Sequence, residues 1–330
     1  MGQIQKNRIV FRFFFPGESL KLSVLVFVCM GLLEAIGKTP LAKVDGIWVK
    51  LEYLNPSGSI KDRVAKYIVE KAEKTGQLKK GYLIVEATSG NTGIAFALVG
   101  AEKGYRVTIV MPRGMSEERQ EMMRALGAKI VFVHKECVQC AVKKTREFRG
   151  KVFLPKQFEN PWNVEENEKV LGKEILRQFP GKIDAVVAGV GTGGTLMGVG
   201  KAIRKKFSRA KIIAVEPEEC PLLSLNRFGK HSIFGFHKTL TCQEHRIEGI
   251  GDGFIPKIVE KNHGLIDEVI RIRSKDAIRK SRELAKKGFL VGPSSGANLL
   301  AALKAKRKYK NVVTFFPDRG ERYLSEKIFE

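Results

Sequence analysis

A lysine follows a tight turn, at the point where the sequence predicts the start of a helix. Residues 55–63 read Asn-Pro-Ser-Gly-Ser-Ile-Lys-Asp-Arg, and residues 60–74 carry apolar side chains at helical spacing. Ser59 is a suitable N-cap, so Lys61 falls in the first turn, where the helix dipole disfavours a positive charge. An amine that loses its proton readily can form a Schiff base. The alternative is an exposed lysine in a lysine-rich chain.

A glycine-rich loop follows a predicted buried strand and precedes a predicted helix. Residues 189–195 read Gly-Val-Gly-Thr-Gly-Gly-Thr. Backbone amides of such a loop, together with the start of a helix, bind phosphate groups. The residues that we expect to hold a phosphate are Gly191, Thr192, Gly193, Gly194 and Thr195.

The same loop also satisfies the dinucleotide fingerprint, which leaves an NAD-dependent oxidoreductase open. Glu216 follows about 20 residues later, where a ribose-binding acid would lie. Two features favour a single terminal phosphate instead. Thr192 and Thr195 add hydroxyl donors, and the loop comes after a complete α/β segment with its own distinctive strand ends.

Four cysteines lie at spacings that could bind a metal ion. Cys137 and Cys140 form a C-x-x-C pair, Cys242 lies three residues before His245, and Cys220 follows another predicted strand. These spacings predict a zinc or iron–sulfur site, with His245 as a reserve ligand. The alternatives are a redox-active C-x-x-C, a disulfide, and unpaired buried thiols. Five cysteines in 330 residues are too few for a secreted disulfide framework, so we expect a cytoplasmic protein.

Strands and helices alternate along most of the chain, which positions these residues at strand ends. Amphipathic helices are predicted over residues 60–74 and 274–288. The alternation predicts an α/β fold of two lobes, each a mostly parallel sheet flanked by helices. We place the lobes at residues 30–160 and 161–330. The predicted strands are Ile47–Leu51, Tyr82–Ala87, Arg106–Met111, Lys129–Val133, Ile183–Ala188, Lys211–Val215, Val269–Ile272 and Asn311–Phe316.

The chain is strongly basic, with 59 Lys and Arg against 35 Asp and Glu and a formal charge of +24. Such a field attracts anions and could hold nucleic acid. The basic residues are spread along the sequence rather than gathered in a tail. We therefore expect small anionic substrates as partners rather than nucleic acid.

Residues 1–29 combine basic residues, a Phe-rich patch and the beginning of an apolar run that ends at Leu33. This run is too short for a transmembrane helix, so we expect no membrane association. We expect Met30 to be the natural start of the protein.

The lysine turn resembles the corresponding segment of cysteine synthases and cystathionine β-synthases, which are pyridoxal-phosphate enzymes. The resemblance extends over residues 31–325, because further family motifs follow in order: Ile36–Leu41, Glu86–Gly93, Met111–Gly127, Gly189–Thr195, Gly249–Pro256, Ser294–Ala297 and Gly320–Leu324. It implies a fold-type-II enzyme with the cofactor in the cleft between the lobes, and a homodimer.

The resemblance also implies roles for individual residues. Lys61 would hold pyridoxal phosphate covalently and act as acid and base at the substrate α-carbon. The 191–195 loop would bind the cofactor phosphate, Asn91 the ring hydroxyl, and Ser294 the pyridine nitrogen, with Ser295 beside it as a helix cap. A neutral partner for that nitrogen favours expulsion of a β-substituent over transamination. The substrate carboxylate would be bound by Thr88, Ser89, Thr92 and Gln157.

The function implied is a cysteine synthase, which replaces the β-substituent of O-acetylserine or O-phosphoserine by sulfide. Arg246 and Arg319 are candidates to meet a phosphate leaving group. Glu248 is typical of cystathionine β-synthase, whereas the Gly320–Leu324 segment resembles cysteine synthase. Cystathionine β-synthase and serine or threonine dehydratase therefore remain alternatives with the same cofactor.

Overall fold

A computed structural model describes residues 31–88, 90–134, 137–225 and 242–330, and the backbone of residues 8–11 and 25–28. The strands are β1 Arg8–Phe11, β2 Leu25–Val28, β3 Leu41–Val44, β4 Ile47–Lys50, β5 Leu83–Ala87, β6 Arg106–Pro112, β7 Lys129–Val133, β8 Val152–Phe153, β9 Ala185–Gly189, β10 Lys211–Pro217, β11 Glu268–Ile272 and β12 Val312–Phe315.

The helices alternate with these strands. They are α1 Lys61–Lys74, α2 Asn91–Lys103, α3 Glu117–Ala125, α4 Val138–Thr145, α5 Pro161–Glu166, α6 Gly172–Gln178, α7 Gly194–Lys206, α8 Leu222–Leu225, α9 Lys257–Asn262, α10 Ser274–Lys286 and α11 Pro293–Lys306. A π-helical turn, Asn167–Leu171, joins α5 to α6. Short 3₁₀ turns cover Leu32–Ala35, Glu52–Leu54, His263–Leu265 and Glu321–Tyr323.

The larger sheet has six strands in the order β11-β10-β9-β12-β4-β3. Its neighbours are parallel except for the antiparallel pair β3 and β4. Alternate residues of β10 belong to two different core clusters: Ile213 and Val215 to one, Ile212 and Ala214 to the other. Because successive side chains of a strand point to opposite faces, the sheet is covered on both sides.

The smaller sheet has four parallel strands in the order β7-β6-β5-β8. It too is covered on both faces, since Ile84 and Ile109 pack into one cluster, and Val85 and Val110 into another. The predicted fold class, two mostly parallel sheets flanked by helices, is confirmed. All eight predicted strands are present, and β1, β2, β3 and β8 are additional.

The predicted cap of α1 is wrong. The N-cap is Ile60, without a side-chain bond, and Ser59 Oγ only accepts a 3.3 Å contact from the Lys61 amide. Ser59 instead forms an isolated β-bridge with Asp318, and the Ile60 amide donates to Pro317 O at 2.8 Å. The C-terminal segment therefore fixes the backbone in front of the helix.

The sheets do not divide the chain into two consecutive halves. Strand β4 pairs with β12 in the six-stranded sheet, and β3 pairs with β4 at its edge, although both strands come from residues 41–50. The boundary at residues 160 and 161 therefore does not describe the sheets for this segment, and as a division into domains it stays a prediction.

The first thirty residues are described only in part. Strands β1 and β2 form an antiparallel pair, whereas Met30, the expected start, lies outside the described residues. Within the described ranges no helix has both the length and the apolar character needed to cross a bilayer.

Candidate active site

A cavity lies where the starts of α1 and α2 meet α3, the loop before α9 and the C-terminal segment. It is lined by Lys61, Thr88, Gly90, Asn91, Arg119, Gln157, Phe158, Glu248, Gly249, Asp252 and Tyr323. Four of these are predicted site residues that are far apart in sequence: Lys61, Thr88, Asn91 and Gln157. The fold therefore brings the predicted lysine and the predicted substrate loop to one place.

Lys61 is the first residue of α1, and its amine faces the cavity. Burial lowers the pKa of Lys61, because the ammonium form loses contact with water, while the carboxylates of Asp252 and Asp318 act in the opposite direction. The sequence argument gave the helix dipole as the cause, and the structure adds desolvation as the largest one. Lys61 thus has the chemistry that a Schiff-base lysine requires.

A buried network of charges holds the first turn of α1. Arg63 Nε donates to Glu52 Oε2 at 2.7 Å, and its two terminal nitrogens donate to the Glu174 carboxylate at 3.0 Å. Lys50 Nζ bonds the same carboxylate at 2.6 Å. Burial raises the pKa of Glu174, but hydrogen bonds and the charges of Arg63 and Lys50 outweigh it and hold the value at about 2. Lys61, two residues from Arg63, therefore lies in a helical turn whose backbone is firmly held.

The predicted substrate loop is organised by one buried glutamine. Gln157 Oε1 accepts from Thr92 Oγ1 at 2.6 Å, and its Nε2 donates to Ala87 O at 2.7 Å. Thr88 Oγ1 accepts from the Gly90 amide at 3.0 Å. Below the loop, Glu86 accepts from the Gln157 amide at 3.2 Å, and burial raises the pKa of Glu86 to about 8. Ser89 lies outside the described residues.

Asn91, expected to meet a ring hydroxyl, is tied to the C-terminal segment. Its Nδ2 donates to Asp318 Oδ2 at 2.7 Å, and its Oδ1 accepts from Arg322. Tyr323 OH donates to the same Asp318 oxygen at 2.6 Å. An amide nitrogen carries two hydrogens, so one remains for a ligand beside this bond. The pKa of Tyr323 is raised, first by burial and then by the Asp318 charge.

The predicted phosphate loop forms a narrow turn between β9 and α7. Gly193 has φ +84°, a conformation that favours glycine. A Cβ on Gly191 would lie 2.2 Å from Gly249 O, and one on Gly194 would lie 1.9 Å from Asn163 Oδ1. Thr192 Oγ1 accepts from Asn163 Nδ2 at 3.1 Å. Thr195 lies in the first turn of α7.

Glu216, the residue that supported the dinucleotide alternative, is engaged elsewhere. Its carboxylate accepts from the Leu223 amide at 2.7 Å and the Ser224 amide at 3.1 Å, at the start of α8. It is therefore committed to a helix start rather than available to a ribose.

Ser294 is buried in the first turn of α11. The expectation that Ser295 caps this helix is wrong, because the N-cap is Gly292 and Pro293 occupies the first position. The Ser295 hydroxyl is buried and has no hydrogen-bond partner among the described residues.

The arrangement fits pyridoxal phosphate. A buried amine of lowered pKa faces the cavity, and Cβ atoms would fill the glycine turn that must admit a phosphate. Asp318 Oδ1, beside Asn91, is a buried oxygen without a partner in the described part of the chain. These features together are what a covalently held, phosphorylated aromatic group requires.

The predicted metal site is not formed. Cys137 is joined to Cys140 and Cys220 to Cys242 as disulfides, so these sulfurs cannot act as thiolate ligands. The described ranges contain no group of three or more His, Cys, Asp or Glu suited to a metal. His245 Nε2 is within 2.8 Å of Gly251 O. The spacing of each C-x-x-C or C-x-x-H pair was a correct signal of proximity only for Cys137 and Cys140.

The chain belongs to the pyridoxal-phosphate-dependent enzymes, because the model of that family matches residues 32–318. It is similar to the cysteine synthase of Staphylococcus aureus strain Mu50, with 44% identity over 314 residues that cover 90% of this chain and 96% of the relative.

Two solved structures show the same fold. An O-acetylserine-dependent cystathionine β-synthase from Helicobacter pylori has a TM-score of 0.83 and 36% identity, covering 92% of this chain and all of its own. A cysteine synthase from Entamoeba histolytica has a TM-score of 0.81 and 39% identity, covering 96% of this chain and 94% of its own. Within the family, this chain is therefore related to enzymes of cysteine and cystathionine synthesis.

Sequence reasoning missed several residues that line or support the cavity. Arg119, Asp252 and Tyr323 line it, and Asp318 and Arg322 hold Asn91. The Gly249–Pro256 and Gly320–Leu324 motifs pointed to two of these neighbourhoods without assigning a role. Asp252 lies within the Gly249–Pro256 motif, and the presence of an acidic side chain there could have identified it as a candidate site residue.

Proposed function

We propose that this chain is a cysteine synthase that replaces the β-substituent of an O-activated serine by sulfide. The observation that carries the proposal is the Lys61 amine of lowered pKa, which shares a cavity with the Thr88–Gln157 loop. An amine at the reacting carbon and a carboxylate-binding loop beside it are the two parts that amino-acid β-replacement requires. The similarity to cysteine synthases supports the same assignment.

The substrate carboxylate binds at the start of α2. Thr88 and Thr92 supply hydroxyls, and the first amides of the helix favour an anion. Gln157 orders this loop through Thr92 and Ala87, so that its donors are in place before the substrate arrives. Ser89 completes the proposed substrate residues.

Pyridoxal phosphate, held by Lys61, withdraws electrons from the substrate α-carbon when bound and so permits loss of a β-substituent. The amides and hydroxyls of Gly191, Thr192, Gly193, Gly194 and Thr195 bind its phosphate, Asn91 its ring hydroxyl, and Ser294 its ring nitrogen. Lys61 takes the proton from the α-carbon and later returns it. The lowered pKa of Lys61 suits this exchange, because the neutral amine is the base.

Acetate is the leaving group that the cavity favours. Of its cationic lining residues, Lys61 is committed to the α-carbon, and Arg119 forms an ion pair with Glu248. Arg246 and Arg319 do not line the cavity: each donates to a backbone carbonyl, Glu326 O and Tyr53 O. A phosphate leaving group would thus meet, among these residues, no arginine in the cavity whose charge is not already balanced by a carboxylate. Two similar structures are named for acetylserine chemistry, which agrees.

The first experiment offers the purified protein four substrates in turn: O-acetylserine, O-phosphoserine, serine, and serine with homocysteine. Each is assayed with and without sulfide, and cysteine, cystathionine, ammonia and pyruvate are quantified. We expect cysteine from O-acetylserine and sulfide. Cystathionine as the main product would assign a cystathionine β-synthase, and pyruvate with ammonia a dehydratase.

Lys61→Ala is the matched variant for this assay. It should fold, bind cofactor without a covalent bond and lose cysteine formation, because no other lysine lines the cavity in the described part of the chain. Borohydride reduction followed by peptide mass analysis locates the adduct. An adduct at another lysine, with near-normal turnover, would show that the assignment is wrong.

Three finer properties complete the proposal. We infer a homodimer from the family resemblance, a cytoplasmic location from the proposed substrates, and a steering role for the +24 charge toward small anions. Analytical ultracentrifugation tests the homodimer, and the salt dependence of the second-order rate constant tests the steering role of the charge.

A further inference from the structure

An acidic residue in the cavity, Asp252, has no role in the chemistry assigned so far. It belongs to the Gly249–Gly253 loop, which is held at its middle residue, Gly251, through the amide and the carbonyl oxygen. The Gly251 amide donates to Val190 O at 3.0 Å, and Gly251 O is 2.8 Å from His245 Nε2. One carboxylate oxygen of Asp252 lies 3.8 Å from the position of a Cβ on Gly191. Asp252 therefore lies beside the glycine loop and lines the same cavity as Lys61.

The other charged groups of the cavity are already paired or committed. Arg119 and Glu248 form an ion pair with each other, and Lys61 acts at the α-carbon. Tyr323 donates its hydroxyl hydrogen to Asp318. Asp252 is then the remaining ionisable group among the residues that line the cavity in the described ranges. A second acid–base group is what the second half of the reaction lacks, because the incoming nucleophile carries its own proton.

The charges around Asp252 set what it can do. Lys61 on α1 and His245 before the loop favour its carboxylate, while Glu248 opposes it, and Arg119 on α3 neutralises Glu248. Burial is the largest effect and raises the pKa of Asp252. A carboxylate of raised pKa is a stronger base than an exposed one. It also repels an anion such as hydrosulfide, but it can accept a hydrogen bond from neutral hydrogen sulfide.

We propose that Asp252 is the base that takes a proton from the incoming nucleophile, and that this nucleophile enters the cavity as neutral hydrogen sulfide or a neutral thiol. This inference rests on the proposed function and deepens it, because it names the form of the second substrate.

The step balances without a further reactant. The sulfur–hydrogen bond breaks, its proton passes to Asp252, and the sulfur electron pair forms the bond to the substrate β-carbon. Lys61 returns to the α-carbon the proton that it took before the acetate left. Asp252 then releases its proton to solvent, and the net exchange is sulfide for acetate.

The test compares Asp252→Asn with the wild-type holoenzyme over a range of pH on both sides of the first ionisation of hydrogen sulfide. In the wild type, kcat/KM for total sulfide falls as pH rises, because the neutral form disappears. In Asp252→Asn it rises with pH, since hydrosulfide needs no base and is no longer repelled. At the acid end the variant loses about 100-fold in kcat/KM for sulfide. The same slope in both proteins would overturn the inference.

Asp276→Asn is the matched control, because it removes one carboxylate from the surface of α10, where Asp276 pairs with Arg279. It should leave both pH profiles unchanged. A single turnover with O-acetylserine and no sulfide separates the two proposals. Acetate release by wild type and Asp252→Asn alike supports the function, whatever the sulfide profile shows. No acetate release by the wild type would contradict the proposed function itself.

A second measurement, on cofactor-free protein, tests the role of Asp252 even if the wild type releases no acetate. The pH dependence of methylation at Lys61, followed by peptide mass analysis, reports the pKa of its amine. Removing the Asp252 charge should make Lys61 react at lower pH than in the wild type, whereas Asp276→Asn should not. An unchanged Lys61 profile in Asp252→Asn would show that the carboxylate does not act in the cavity, and the inference would be wrong.

Discussion

At the scale of single residues, Lys61 shows how position alone can activate an ordinary side chain. Its place in the first turn of α1 sets it against the helix dipole, and burial removes water from its ammonium form. Two nearby carboxylates, Asp252 and Asp318, limit the effect. The balance still lowers the pKa of Lys61, which favours the neutral amine that can take up a proton.

The residue-scale prediction concerns Gly194, whose missing side chain leaves room for Asn163. Gly194→Ala would place a Cβ 1.9 Å from Asn163 Oδ1, and Asn163 is buried with bonds to Gln157 O and Thr192. Because Asn163 cannot move without breaking these bonds, we expect a loss of about 1–3 kcal/mol in cofactor affinity or stability. Titration with pyridoxal phosphate measures the cofactor affinity, and denaturant unfolding measures the stability.

Gly264→Ala is the control for this substitution. Gly264 lies in a 3₁₀ turn outside the cavity, has ordinary backbone angles, and would place its Cβ in open space. We expect a change within about 0.5 kcal/mol. Equal effects of the two substitutions would show that the glycine loop tolerates a side chain.

At the scale of elements, the sequence predicted the strands well because their apolar runs are continuous and bounded by turns. It missed the short pair β1 and β2. In the two larger sheets it missed β8, which has only two residues, and β3, which lies at the sheet edge and is partly exposed. It also assigned Ser59 as a cap, although a bridge to Asp318 fixes that backbone. Asn91 and Asp318 are 227 residues apart, and no local pattern announces such a contact.

The element-scale prediction concerns the network that holds α1. Glu174→Gln leaves Lys50 and Arg63 buried with less compensating charge, so we expect a loss of about 3–5 kcal/mol in unfolding free energy at neutral pH. The pKa of Glu174 is about 2 in the folded protein, against an ordinary 4.5. Its ionised form therefore stabilises the fold fully above about pH 4.5, and this contribution is lost as pH falls toward 2.

Denaturant unfolding of both proteins across this range measures the effect. The difference between wild type and Glu174→Gln should narrow from pH 4.5 downward. Glu283→Gln, which breaks a surface pair with Lys280 on α10, should cost less than about 1 kcal/mol. If the difference in unfolding free energy between the two proteins stays constant with pH, the ion pairs of Glu174 do not lower its pKa.

At the scale of the whole molecule, the cavity exists only because three parts of the chain converge. Helix α1 and the α2 start come from the first half, the Gly249–Gly253 loop from the second, and Asp318–Tyr323 from the C-terminal segment. The C-terminal segment contacts both others: Arg322 donates to Ser57 O at 2.9 Å and also bonds Asn91. The C-terminal segment thereby fixes the position of the lysine turn relative to the substrate loop.

The last prediction concerns the two disulfides, which act on the whole fold rather than on the cavity. Cys220–Cys242 joins residues 22 apart, and Cys137–Cys140 joins residues 3 apart. In the chain-entropy model the longer loop stabilises by about 3 kcal/mol and the shorter by about 1.5 kcal/mol. The double variant Cys220→Ser/Cys242→Ser should therefore lose about twice as much unfolding free energy as Cys137→Ser/Cys140→Ser under oxidising conditions. Neither pair lines the cavity, so turnover should be retained by both. Addition of a dithiol reduces both bonds, so the differences in unfolding free energy should then vanish. Equal losses for the two variants, or a difference that survives reduction, would show that packing of the sulfurs rather than the cross-links determines their contribution.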